Sequence, residues 1–418
     1  PTIAELPLLM EEEVGVMKFD PAYVRGGSKE ARDQEKQYVR LTREDAEEYI
    51  IAIKQNPELT LNDFAKTKIP LDQIKPGAKV VADFSTPKAE NGKEYVGTPV
   101  DLSGLDFSNA KLQEACFAGA NLERCLFNGA DLRRATFEGA NLRGAEFKKT
   151  QAQDATFFYS DMSPSDAIDD KPRKKTQIID SNFERAFMRG SEAVEAIVER
   201  SNFNYSNIRN GNWNQADVLK AEFNYADMEG ISLAGAQLRE VKMKHALLDK
   251  AIMTNAELLK VDLTEAMMVG VKAEKLKIKD SILRNVDARG INLEDAEIDK
   301  LSKLEGLDLE RALMEKIKAE GVDFRKVNLE QADLRLAQLR EANLEGVNAR
   351  FANLEGAVIE GAKAAGIDMT GAQVEKLHAA KADLTGAVMK GVKGDEADFT
   401  DALLEGANLR EAKMRKAI

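Results

Sequence analysis

The chain has 418 residues, 32% of them charged and 43% hydrophobic, with a net charge of −12. A mildly acidic, well-mixed surface is not a nucleic-acid footprint. No stretch reaches the roughly 18 apolar residues of a membrane span, and no basic-then-apolar leader opens the chain, so the expectation is a soluble, cytoplasmic protein with no membrane and no direct nucleic-acid contact.

Residues 1–99 read as a separate α+β cap or adaptor domain. Residues 1–40, with Glu11-Glu-Glu and Gly26-Gly-Ser, read as partly disordered. Thr42 to Gln55 starts with a hydroxyl cap and an acidic first turn and ends before Pro57, which predicts a helix. A shorter helix is expected at Asn62–Thr67. Lys79–Phe84 and Glu94–Gly97 read as two strands joined through the turn signal Glu90-Asn-Gly.

From about residue 100 onward every fifth position is apolar and the residue two before it is small. The unit is visible in Ala110-Lys-Leu112-Gln-Glu, Ala115-Cys-Phe117-Ala-Gly and Ala120-Asn-Leu122-Glu-Arg, and again in Ala402-Leu-Leu404-Glu-Gly and Ala407-Asn-Leu409-Arg-Glu. About sixty such central positions carry no charge, which by chance has a probability on the order of 10⁻¹⁰. A period of five fits neither an α-helix nor a simple strand. It fits a coil with sides one pentapeptide long, each sending one large and one small side chain inward.

These A(D/N)LXX units resemble the pentapeptide-repeat protein family, over about residues 100–418. The resemblance implies an all-β solenoid, a right-handed quadrilateral β-helix with four pentapeptides per coil and about 15 coils. The chain supports a 20-residue coil: Phe107, Phe127 and Phe147 recur at that spacing, as do Phe117, Phe137 and Phe157. In a four-sided coil these become phenylalanine ladders on opposite faces, continued by Phe203 and Phe223 with Trp213 across from them. Such ladders are a dry core and not a cofactor site.

The register breaks twice. A loop is expected at 163–181, where the apolar centres lapse and Pro164 and Pro172 occur. Its Lys171, Arg173, Lys174 and Lys175 are candidate partner contacts, set against Asp166, Asp169 and Asp170. A one-residue slip near 299–303 predicts a bulge at a corner. Further on, the small centres Ala319, Ala349, Ala364, Ala379 and Gly394 predict a narrower core filled by neighbouring Met and Leu, with lower local stability.

The first coil has an apolar end that the N-terminal region is expected to cover. At the far end Leu404, Leu409, Met414 and Ile418 are candidate contacts of a homodimer. Tyr205 and Tyr225, both outward and one coil apart, are candidate partner contacts, with Asn204 and Asn224 stacked beside them.

Chemistry is sparse. His245 and His378 stand alone and outward, and no phosphate loop, GxGxxG or CxxC motif is present. No catalytic residue, cofactor or metal is expected, and Cys116 (outward) and Cys125 (inward) are not expected to form a disulfide. The expected function is a non-enzymatic protein–protein interaction scaffold. Two alternatives follow from the resemblance: a DNA-mimicking regulator of DNA gyrase or topoisomerase IV, and a secreted effector. The first fits poorly with the extra N-terminal domain, the length and the mixed charge.

Overall fold

The computed structural model describes residues 35–88, 96–167 and 172–418. The chain opens with β1 (Lys36–Arg40), α1 (Arg43–Gln55), α2 (Leu61–Lys66), a 3-10 turn (Leu71–Gln73) and β2 (Lys79–Asp83). Helix α1 starts where its sequence says it should. The Thr42 side chain accepts from the Asp45 N–H while the Asp45 carboxylate accepts from the Thr42 N–H, a reciprocal capping box.

The sheet in this region differs from the expected hairpin. β2 pairs in parallel with β1, in register from Lys36–Lys79 to Arg40–Asp83. The Glu90-Asn-Gly turn and the first half of the expected second strand lie outside the described residues, and Val96 and Gly97 are not in a strand. β1 falls in the segment whose sequence reads as disordered. Its Lys-Gln-Tyr-Val-Arg has too little alternation to announce itself, and the pairing with β2 stabilises it.

The remainder is a parallel β-helix. Backbone bridges join residues 20 apart, from Asp101–Asn121 onward, so each side of a coil lies on the same side of the next. Three features explain the repeat. The central residue and the small residue two before it are buried together, as Ala110 with Leu112 and Ala115 with Phe117. The Asp or Asn between them turns outward and accepts the N–H two residues on, as Asp106 does from Ser108 at 2.9 Å and Asp368 from Thr370 at 2.9 Å. The corner then closes through a four-residue turn, Ala110 N–H to Phe107 C=O at 3.0 Å.

The third residue of that turn is left-handed at the regular corners, as at Gly104 (φ 71°) and Asn109 (φ 61°). This is the geometry of a type II turn, which favours Gly or Asn there. Other residues at these corners bear a left-handed cost of roughly 1–2 kcal/mol each.

Aromatic stacking fills the first coils. Phe107–Phe127–Phe147 stack at 5.6 and 5.2 Å, and Phe117–Phe137–Phe157 at 5.1 and 4.9 Å. The two ladders meet edge to face across the coil, as Phe127 and Phe137 do at 5.8 Å. Phe84, just after β2, stacks on Phe117 at 5.4 Å and 9° and so begins the second ladder. The N-terminal region is thereby joined to the helix: Cys116 donates to Ala82 C=O, Phe84 to Cys116 C=O, and the buried Tyr49 hydroxyl lies 3.2 Å from both Lys111 N and Lys111 O.

After the first break the large rings change sides. Phe183 lies one coil above Ala152, and Phe183, Phe203 and Phe223 stack at 5.1 and 4.9 Å with Trp213 edge-on between the last two. Gly211 makes room for the indole: a Cβ there would stand 3.3 Å from Trp213 Cδ1. At Gly394 the space is taken by Val374 and Met414, whose nearest atoms lie 2.9 and 3.4 Å from where a Cβ would be.

The two breaks have distinct forms. Across the first, bridged residues are 31 apart instead of 20 (Thr156–Phe187), and the next inward centre is Ile178 in β4 (Gln177–Ile179). The loop expected at 163–181 is therefore shorter, because an isoleucine hidden behind Lys-Lys-Thr-Gln re-enters the ladder. Across the second, partners are 21 apart (Ile282–Lys303). Asp299 accepts from both the N–H and the hydroxyl of Ser302, and Leu301 is pushed outward to 59% exposure.

From the coil before the first break up to the second, one side straightens into a parallel sheet, β3 (Glu146–Lys148) and β4, then β5 (Ile197–Glu199), β6 (Asp217–Leu219), β7 (Gln237–Arg239), β8 (Glu257–Leu259), β9 (Lys277–Lys279) and β10 (Glu297–Ile298), stacked in chain order.

Candidate functional site

The loop cations are held against the coil wall. Arg173 makes a two-pronged pair with Glu195 at 2.9 and 2.7 Å, Lys175 reaches the same carboxylate at 3.5 Å, and Lys174 reaches Glu146 at 3.0 Å. Arg124 closes the loop from beneath by donating to Asp166 C=O and Pro172 C=O. Lys171 lies outside the described residues. Three of the four expected contacts thus serve to fasten the loop, because each finds a rod carboxylate within reach.

Burial raises the Glu146 carboxyl, and hydrogen bonds from Lys148 and Lys174 more than offset this and bring it from its ordinary 4.5 to about 2. A carboxyl whose folded pKa is depressed stabilises the fold above its unfolded pKa and loses that contribution as pH falls toward the folded value. The loop anchor should therefore weaken between about pH 4.5 and pH 2. Lower protection factors for the amides of residues 172–177, relative to their intrinsic exchange at each pH, are the expected result on acidification, and Glu146→Gln should show low protection already at neutral pH.

Tyr205 and Tyr225 behave differently. Their rings stack at 5.1 Å and 4°, and His245 continues the column on Tyr225 at 4.5 Å and 10°. His245 Nδ1 lies 3.3 Å from the Glu265 carboxylate, one coil further. All four residues occupy left-handed corners, with φ between 56° and 59°. Beside them Asn204 accepts the Asn224 N–H at 2.8 Å and Asn224 accepts the Lys244 N–H at 3.0 Å, a short amide ladder. Burial raises the Tyr205 hydroxyl above its usual value.

His245 and Glu265 were readable in the sequence as the next members of the 20-residue column; a histidine considered alone hides that. Glu195, to which the loop is tied, precedes Tyr205 by ten residues, two sides of a four-sided coil. Loop and aromatic column therefore occupy opposite corners and do not form one site.

Of the expected dimer contacts, Leu404 and Met414 are half-buried, whereas Leu409 and Ile418 are 41% and 80% exposed. Ile418 is tied into the ladder through Ala397 and Phe399.

A groove of about 490 Å³ lies where α2 and β2 meet the first coils, lined by Asp63, Lys66, Lys79, Glu114 and Arg134 among others. Burial raises Glu114, but pairing with Lys79 and Arg134 outweighs it and holds the carboxyl below the usual range. The groove's charges are spent on one another. Cys125 is buried and its thiol is pushed up to about 12, and neither cysteine is in a disulfide. Among the described residues no group of three His, Cys, Asp or Glu is placed to hold a metal, and no helix is long and apolar enough to cross a membrane.

A parallel β-solenoid built of one-pentapeptide sides defines a repeat protein whose distinguishing features are carried on its outer corners. The family model for pentapeptide repeats matches in eight copies, over residues 100–129, 120–157, 231–268, 302–340, 337–373, 352–391 and 380–418, and the chain belongs to this family.

Solved structures similar to it include HetL, a pentapeptide repeat protein involved in heterocyst differentiation regulation from the cyanobacterium Nostoc sp. strain PCC 7120 (25% identity, 52% of this chain and 90% of that one, TM-score 0.33). Rfr23 from the cyanobacterium Cyanothece is 21% identical over 30% of this chain and 91% of that one, with a TM-score of 0.20. QnrB1, a plasmid-mediated fluoroquinolone resistance protein, is 15% identical over 52% and 91%, with a TM-score of 0.18. No curated protein matches the sequence.

Proposed function

We propose that this protein is a non-enzymatic scaffold that binds a protein partner through its outer corners. The observation that supports this reading is the column Tyr205–Tyr225–His245: three stacked outward rings at corners where Gly or Asn would cost less. Rings pre-ordered by stacking lose little side-chain freedom on binding, which favours them in interfaces.

The test is the double change Tyr205→Gly and Tyr225→Gly in the full chain. Cross-linking in the native cells should lose the partner captured by the wild type, while thermal stability stays level or rises. Retention of the same partner at the same yield would overturn the assignment.

The mimicry of DNA is disfavoured by the pairing of surface acids with bases, as Arg335 with Asp333 (2.7 Å) and Glu315 (2.9 Å), or Arg340 with Glu320 and Glu360. A phosphate-like surface needs unpaired charge in rows. Micromolar protein should leave gyrase supercoiling unchanged, and inhibition would move the assignment to that alternative.

A further inference from the structure

Two corner residues stand apart from the others. Among the described non-glycine residues in the left-handed corner conformation, only Leu336 (φ 57°) and Phe351 (φ 56°) have wholly apolar side chains. They are 46% and 50% exposed, in a position where a side chain is already strained. Exposed apolar groups held at a conformational cost point to use.

Their surroundings are shaped around them. Each leans over a glycine of the next coil: Leu336 Cδ2 lies 2.9 Å from the position a Cβ on Gly356 would take, and Phe351 Cε1 lies 2.6 Å from that of Gly371. Any side chain at those two positions would displace them. Phe351 and Gly356 are the two corners of one side of the coil, so Phe351 forms one wall of that side and Leu336, lying against Gly356, forms the other.

The floor between the walls is acidic. Asn353 and Glu355 face outward there, with Gln373 and Glu375 one coil on. Neither Glu355 nor Glu375 makes an ion pair with a described residue, whereas the acids one and two coils earlier on this side, Asp333 and Glu315, are both taken up by Arg335. Leu313, one coil before Asp333 in the same column, is also exposed. The result is a shallow trough with apolar edges and two carboxylates outside ion-pair distance of any described cation, Glu355 feeling Arg335 only at longer range.

We infer that this trough is a docking site for a segment of a partner protein in which Lys or Arg stands between apolar residues. The cation meets Glu355 and Glu375 while the flanking apolar groups pack on Phe351 and Leu336. Packing there withdraws the charges from water and strengthens their attraction. This site rests on the reading of the rod as a binding scaffold, but it uses corners other than the Tyr205–Tyr225 column.

The experiment measures fluorescence anisotropy of two labelled synthetic peptides, repeats of Leu-Lys-Lys-Leu and of Leu-Glu-Glu-Leu, against the full chain. The lysine peptide should bind and the glutamate peptide should not. Phe351→Gly together with Leu336→Gly should weaken binding at least tenfold with no fall in thermal stability, since glycine relieves both strained corners. Glu355→Gln with Glu375→Gln should weaken it comparably, and Tyr205→Gly with Tyr225→Gly should leave it unchanged.

Absence of binding, or binding that survives the glycine changes, overturns the trough and leaves the scaffold proposal standing. Self-association of the wild type that the glycine changes abolish would assign the trough to a second copy of this chain instead and overturn the foreign partner. Failure of the tyrosine changes to lose the native partner, with peptide binding behaving as expected, removes the tyrosine column and leaves the trough.

Discussion

Phe137→Ala is expected to destabilise the first stretch of coils by about 3–5 kcal/mol. Phe137 stacks on Phe117 below and Phe157 above, at 5.1 and 4.9 Å, and meets Phe127 edge-on at 5.8 Å. Truncation removes all three ring contacts at once. The four backbone walls are tied by hydrogen bonds to neighbouring coils, so they cannot collapse into the space. Because each coil touches only its neighbours, the effect should be local. Native-state hydrogen exchange should show the amides of residues 107–157 losing protection while those of residues 320–390 keep theirs. A loss below about 1 kcal/mol would mean that the ladder is not the source of stability.

Phe84→Ala should release the N-terminal region from the rod, also at about 3–5 kcal/mol. The ring is fully buried and is the first member of the Phe117 ladder. Its removal exposes the face of Phe117 and leaves the bond from Phe84 N–H to Cys116 C=O without packing above it. The expected result is fast exchange in β1 and β2 and cleavage near residues 84–100 by a trace of protease, with the coils beyond Phe127 intact. Tyr49→Phe provides a contrast: it keeps the ring and removes only the hydroxyl's bonds to Leu59 and Lys111, so its loss should be nearer 1–2 kcal/mol by the cost of leaving such partners unpaired, about 1–3 kcal/mol.

Both predictions rest on positions that could be found before any coordinates. The phenylalanines announce their ladders by recurring at 20 residues, and helix α1 announces itself by Thr42 and Asp45. Phe84 was readable as part of a strand but not as the base of a ladder, because its partner is 33 residues away in a different kind of structure. β1 was hidden for a similar reason. Its pairing with Lys79–Asp83 is a long-range contact, and a five-residue strand stabilised by one neighbour has weak local signal.

The candidate sites were legible only in part. Tyr205 and Tyr225 stand out as like aromatic residues 20 apart, whereas His245 and Glu265 obey the same spacing but change residue type, which hides the column. The loop lysines and arginine looked free, since nothing near them in sequence indicates that Glu146 and Glu195 lie within reach. Leu336 and Phe351 fall at outward corner positions, where isolated apolar residues are common on any surface. Their significance needs the left-handed φ and the glycines above them.

By itself, the sequence determined the coil: its side length, its inward residues, its turns and its stacking ladders. A solenoid makes this possible because the contacts that specify it lie within a side or one coil away, and a local period encodes both. Only the tertiary structure decided what the outward residues do. Their partners depend on which coils become adjacent after the 31- and 21-residue steps, and on which way each side chain leans from its corner. The repeat leaves those choices free, because any polar residue satisfies an outward position.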